Sequence, residues 1–273
     1  MSDFAAPRQA RTVRAAVPGH PWLKRARPLG LLIALLALWQ LGSTVLLDAA
    51  SATLLPPPSA IFRAFWELIQ TGELWHHLRD SLKREFVAFA WSCLSIPLGL
   101  VMGYWKTVDE QFDPLVEVLR PIPPLAWIPL SILWFGIGDT QNEFIIFLGM
   151  FFPILLNTIA GVRNIEPNLI RAARCLGANE IRILRRIVLP AALPQIMTGI
   201  RIGMGFGWMA LVAAELIGAN SGLGFLINDA RTVLRTDYVI VGMITIGVVG
   251  LAIDKLIRFL GRRFMPWSRA MGT

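Results

Sequence analysis

Long apolar runs alternate with short polar, often basic, connections along most of the chain. Residues 29–47 are almost continuously apolar, about long enough to cross a bilayer. Five more such runs cover residues 86–104, 114–135, 144–162, 191–217 and 238–256. Runs this long and this poor in charge predict membrane-spanning helices, six in all. Between the first two, residues 49–81 leave the membrane. Pro56-Pro57-Pro58-Ser59 is a stiff turn ending in a helix cap. Ile61, Phe62, Phe65, Trp66, Leu68 and Ile69 then alternate with Arg63 and Glu67, which predicts an amphipathic helix lying at the outer interface. Residues 106–111 read as a short mixed-charge loop, residues 136–140 as a tight outer turn, and residues 220–237 as an outer loop.

Two of the runs carry residues that an ordinary span lacks. The third holds Pro121, Pro123, Pro124 and Pro129. Proline removes backbone donors, and broken backbone at membrane depth is tolerated only where it is buried in protein or lines a cavity. Arg120, Pro121, Pro123, Pro124 and Trp127 are therefore candidates for a translocation path or gate, with a static kink as the alternative. In the fifth run Gly199, Gly203 and Gly207 recur every four residues, followed by Ala210 and Ala214. They share one helix face and let another helix approach closely, at a dimer interface or within the subunit. Arg201 and Glu215 sit near the ends of this run. Charge inside a membrane marks a functional candidate, and Glu215 joins the path or gate set, although both lie near enough to an end to snorkel.

Composition agrees with a polytopic membrane protein. Of 273 residues, 55% are hydrophobic and 16% charged, and the mean hydropathy is +0.58. The net charge of +8 does not point to nucleic acid, because the basic residues flank apolar runs and form no single stripe. The basic stretches are residues 1–28, the segment from Arg171 to Arg186 and the end from Arg258 to Arg269. Six spans put all three on one side, and the positive-inside rule makes that side cytoplasmic, with both termini inside. Residues 1–28 then form a cytoplasmic tail, residues 29–48 the first helix, residues 49–81 the outer segment, residues 82–262 the core and residues 263–273 a second cytoplasmic tail. A cleaved signal peptide is the competing reading of the first run, since Ala50-Ser51-Ala52 mimics a cleavage site. Cys93 and Cys175 fall at different depths and are not expected to pair. His76 and His77 are adjacent, point to different helix faces and suggest solvated surface rather than a metal site.

Residues 162–190 form an arginine-rich insert between two apolar runs. Ala172 and Ala173 favour helix. Gly177 can take the left-handed conformation that ends one helix before another begins. Ile181, Ile183, Leu184 and Ile187 make an apolar stripe at near-helical spacing. Pro190 is expected to break the run and open the next span. A basic helical knob at a membrane face suits docking by another protein, and composition alone fits an ordinary basic loop as well.

The pattern Arg171-Ala172-Ala173, three residues, Gly177, nine residues and Ile187-x-Leu189-Pro190 resembles the EAA loop of ABC importer permeases. The chain departs at the first letter, since Arg171 stands where the family usually has Glu. Residues 120–136, and Gly207-Trp208 followed by Val212-Ala213-Ala214-Glu215-Leu216, resemble the nitrate, sulfonate and taurine import class, especially its taurine and aliphatic-sulfonate permeases. The resemblance covers roughly residues 50–267. It implies a type I ABC importer permease bundle in the bacterial inner membrane. It also implies that residues 163–190 form a coupling loop, with Arg171, Ala172, Ala173, Gly177, Ile187, Leu189 and Pro190 at a cytoplasmic ATPase. The implied partners are a second permease copy as a homodimer, two ATPase subunits that hold ATP and Mg, and a periplasmic binding protein that delivers a small anion or zwitterion. Nitrate, another small anion or a thiamine precursor is the alternative cargo within the class.

No catalytic engine is visible in the sequence. It contains no Gly-Lys pair for a phosphate loop, no His-Glu-x-x-His, no Cys-x-x-Cys and no Gly-x-Ser-x-Gly. Uphill transport would therefore draw its energy from a partner, and no cofactor of this chain's own is expected. The readings from other classes are a membrane-embedded enzyme acting on a lipid or isoprenoid, for which no inward set of Asp, His or Ser stands out, and a passive channel or scaffold.

Overall fold

Residues 21–46 and 53–264 are described by a computed structural model of the chain. The tail over residues 1–20, the cleavage-like Ala50-Ser51-Ala52 and residues 265–273 lie outside the described residues. The described residues contain helices and connections and no strand. Helix α1 is Pro21–Leu41, continued by a π turn over Gly42–Leu46. It opens eight residues earlier than the apolar run, so residues 21–28 are helical rather than part of an irregular tail. Helix α2, Pro58–Gln70, packs on α1 and on the last helix. Its Ile61, Ala64 and Leu68 are buried while Phe62 and Trp66 are exposed, so only part of its apolar surface faces outward.

Helices α3, Glu73–Ser92, and α4, Ser95–Tyr104, follow one another through a turn at Cys93–Leu94. Together they make a 32-residue candidate span from Glu73. Residues 73–81, expected in the outer segment, thus begin this span. Hydropathy misses the start because Ser81, Arg84 and Glu85 are polar yet buried inside the bundle. The residues expected as a mixed-charge loop open helix α5, Lys106–Leu119. After it the chain turns by 80° into a 3-10 turn, Pro124–Trp127, and helix α6, Ile128–Phe135. The expected single span over residues 114–135 is therefore two pieces. Pro123 adopts extended backbone, φ −58° and ψ 138°, as a residue before proline prefers.

Helix α7, Asp139–Arg163, is the most enclosed of the long spans. After it come the short helices α8, Pro167–Cys175, and α9, Glu180–Ile183. A π turn over Leu184–Val188 leads into α10, Leu189–Gly218. Pro190 does not break this run. Helix continues for 39 residues from Glu180 to Gly218. The π turn adapts the backbone just before the proline, with the Leu189 N–H donating to the Leu184 carbonyl five residues back. Helices α11, Leu223–Thr232, and α12, Thr236–Phe264, complete the chain.

Four helical segments are long and apolar enough to cross a membrane, or five if the bent pair counts as one, with Gly30–Val45 a shorter apolar piece. The centre of the fold is the α7–α10 contact. A Cβ on Gly199 would lie 2.7 Å from Asn157 Cβ and 3.2 Å from Ile154 Cα, and one on Gly203 would lie 3.1 Å from the Met150 carbonyl oxygen. Met150 itself fills the space beside Gly207. The glycine stripe therefore packs within the subunit, backbone close to backbone.

Candidate functional site

Two polar constructions sit on this frame. The first is the α8–α9 loop. Pro167 starts α8, and Gly177, at φ +78°, ends it by a left-handed step. The Gly177 N–H donates to the Arg174 carbonyl and the Ala178 N–H to the Ala173 carbonyl, closing the last turn. The Asn179 side chain then accepts from the Arg182 N–H at 2.9 Å and caps α9. Ala173, Ile183 and Val188 are buried with Leu100, Val162, Ala192 and Ile196, which roots the loop in the bundle. Arg174 donates to Glu180 at 3.1 Å and to the Tyr104 hydroxyl at 3.1 Å, and Tyr104 donates to Glu180. These bonds, that to Glu180 first, raise the Arg174 pKa above its ordinary value, so it stays charged.

The outer surface of the loop presents Arg171, Ala172, Arg182, Arg185 and Arg186 to solvent. Among them Leu176 is 88% and Ile181 69% exposed. Ile187 and Leu189 are half-buried and Pro190 is exposed. Apolar side chains ringed by guanidinium groups form a surface suited to a partner. Exposed ion pairs contribute little to stability. Glu180→Gln is therefore expected to leave the melting temperature nearly unchanged while loosening α8 against α9, which protease sensitivity between residues 174 and 180 would reveal.

The second construction was not foreseen as a unit. Glu215, read as a path or gate candidate able to snorkel, is 1% exposed. Its carboxylate accepts from Arg84 Nη1 at 2.7 Å, from the Ser81 hydroxyl at 2.8 Å and from the Gly224 N–H at 2.9 Å. Arg84 also donates to Asp139 at 2.8 Å and to the Ser221 carbonyl at 2.6 Å. Ser81 accepts from the Leu223 N–H at 2.8 Å, and His77 Nδ1 from the Gly222 N–H at 3.1 Å. Side chains of α3 and α10 thus satisfy the free N–H groups that open α11. Gly222, at φ +115°, is required here, since a Cβ would lie 2.3 Å from the Glu215 carboxyl carbon. Glu215 is sealed in this knot in the single subunit. Its neighbour Glu85 is also fully buried, and neither of its carboxyl oxygens has a hydrogen-bond partner among the described residues. The available signal was a stripe at helical spacing in which polar Ser81, Arg84, Glu85 and Ser92 flank Ala88, all of them buried.

The other path candidates stay apart from both constructions. Arg120, Pro121 and Pro123 are exposed at the bend, and Pro124 is half-buried. Trp127 is half-buried in an aromatic group with Trp134 and Phe144, ring centres 6.4 Å from its own. Arg201 donates to Asp254 on α12 at 2.8 Å and is about half exposed.

Comparison with known proteins decides the family. Residues 95–266 match the model of the binding-protein-dependent transport system inner membrane component. The chain belongs to that family. This permease is 41% identical over 245 residues to the taurine transport system permease of Escherichia coli, covering 88% of each chain. It is 40% identical over 258 residues to an aliphatic sulfonates transport permease of the same organism, covering 93% of this chain and 97% of the relative. A nitrate import permease of Leptolyngbya laminosa is 31% identical over 280 residues, covering 97% and 98%. Among solved structures, the inward-facing MetNI methionine ABC transporter superposes with a TM-score of 0.59 at 23% identity, covering 76% of this chain and 97% of that one. That likeness concerns the fold. The chain is an ABC importer permease of the taurine, sulfonate and nitrate class.

Proposed function

We propose that this permease moves a small organosulfonate, taurine before others, across the bacterial inner membrane. A separate pair of ATPases drives it, and an external binding protein delivers the solute. The observation that carries the coupling role is the α8–α9 loop: a pair of short helices joined at Gly177, rooted in the core and exposing Leu176 and Ile181 among arginines. The sulfonate reading is supported by the names of two relatives at 40% identity or more over most of the chain. Four long spans, the bent pair and Gly30–Val45 would give six crossings, with both termini on the loop's side. Two permease copies would pair, and ATP and Mg would be held by the ATPases. ATP binding would close the ATPases on the loop and switch the bundle between inward- and outward-facing states as rigid bodies.

The test is reconstitution in liposomes with the ATPase and binding protein. Deleting residues 171–189, or Gly177→Pro, is expected to abolish ATP-driven taurine uptake while the helical content of the bundle persists. Uptake that survives either change would overturn the coupling role. Nitrate uptake without taurine uptake would move the cargo to the other branch of the class.

A further inference from the structure

Helices α10 and α12 leave a crevice between them. They are bridged at two levels. Trp208 Nε1 donates to the Ile246 carbonyl at 3.2 Å, and Arg201 donates to Asp254 at 2.8 Å. The two α10 residues are seven apart, about 10 Å along a helix. Between the bridges Gly205 and Gly250 contribute no side chain. Nothing lies within 4 Å of where a Gly205 Cβ would be, and Gly250 faces the Trp208 indole. The space is about 270 Å³ and its lining is mostly apolar. It adjoins an apolar surface, with Ile202, Phe206, Val248 and Leu251 exposed nearby on the same two helices.

The Asp254 end of the crevice is basic. Asp254 accepts from both Arg201 and Arg258, so one carboxylate faces two guanidinium groups. Arg201 bonds Asp254 through Nε, and its two terminal NH2 groups make no hydrogen bond among the described residues. A guanidinium has five N–H donors and matches the oxygens of an oxyanion. The depth is also specific. Arg201 lies about 26 Å along α10 from Gly218, and Asp254 about 27 Å along α12 from Thr236, at 1.5 Å per residue. Both helix ends lie at the same end of the bundle, flanking α11. A hydrocarbon core is about 30 Å thick. The basic end therefore falls where the opposite leaflet's phosphates lie, and the apolar slot falls among its acyl chains.

We infer that the α10–α12 crevice is a binding site for an anionic phospholipid, its phosphate on Arg201 and Arg258 and an acyl chain in the slot beside Gly205 and Trp208. Basic pockets between membrane helices recognise anionic headgroups in this way. The inference needs only that these helices cross the membrane and is independent of the cargo and of the ATPase coupling. Its readout is lipid retention, which transport failure does not affect.

The full-length chain, with any subunits that accompany it, is purified in mild detergent from membranes containing phosphatidylglycerol and phosphatidylethanolamine. Retained lipid is then measured by native mass spectrometry. The wild type is expected to retain phosphatidylglycerol in preference. Gly205→Leu, which fills the slot, and the double variant Arg201→Gln with Arg258→Gln, which removes the donors, should each lower retention about tenfold or more. Leu251→Ala, on the exposed face of α12, should retain it. If Gly205→Leu does not fold, the double variant carries the test. Unchanged retention in the double variant, equal retention of the zwitterionic lipid, or displacement of the lipid by millimolar taurine would overturn the inference, the last by making the crevice a solute site.

Discussion

Arg84→Leu is expected to destabilise the bundle by about 3–5 kcal/mol, the usual cost of removing one partner from a buried pair. A folded domain has about 5–15 kcal/mol in hand, so the loss would show as a sharp fall in melting temperature and yield. Arg84 is 3% and Glu215 0% exposed at the side chain, so no solvent is available to screen the charge left behind. The damage would spread beyond the pair. Arg84 also holds Asp139 at the start of α7 and Ser221 before α11, so one substitution unties three connections. Arg84→Leu with Glu215→Leu should recover much of the stability, because neither charge then remains stranded, although the Gly224 and Ser81 donors lose their acceptor. Thermal unfolding in detergent followed by tryptophan fluorescence reads both variants. An Arg84→Leu melting temperature equal to the wild type would show that the network contributes nothing.

Gly199→Leu should be as damaging for a different reason. The added side chain meets Ile154 Cα and the Pro153 carbonyl oxygen, which are backbone atoms and cannot swing aside. Forcing α7 from α10 is overpacking at the centre of the fold, at about 3 kcal/mol or more. Six residues further along the same helix, Gly205→Ala meets nothing within 4 Å and should gain up to about 1 kcal/mol of helix propensity. Opposite signs at two glycines of one helix test the packing rather than glycine content. If both changes lowered the melting temperature alike, the close α7–α10 contact would be wrong.

The α8–α9 loop could be read from residues alone because its determinants are local. Ala172 and Ala173 favour helix, Gly177 permits φ +78°, and the apolar positions that root it recur at helical spacing. The effect of Pro190 was misread, because its missing N–H is accommodated by a π turn that no periodicity announces. The start of the second span was misread for a related reason. Hydropathy scores Ser81, Arg84 and Glu85 as surface, whereas each is buried, and Ser81 and Arg84 meet partners more than 130 residues away. The glycine stripe was visible, but which helix it faces was not.

The order of apolar runs, the proline-rich bend and the glycine-linked loop follow from the amino-acid sequence by itself, because each depends on neighbours within a few turns of the same chain. The enclosure of α7, the sealing of Glu215 by Arg84 and the crevice between α10 and α12 were decided only by tertiary structure. They depend on distances between segments remote in the chain, where burial turns a charge from a surface feature into one that must find a partner.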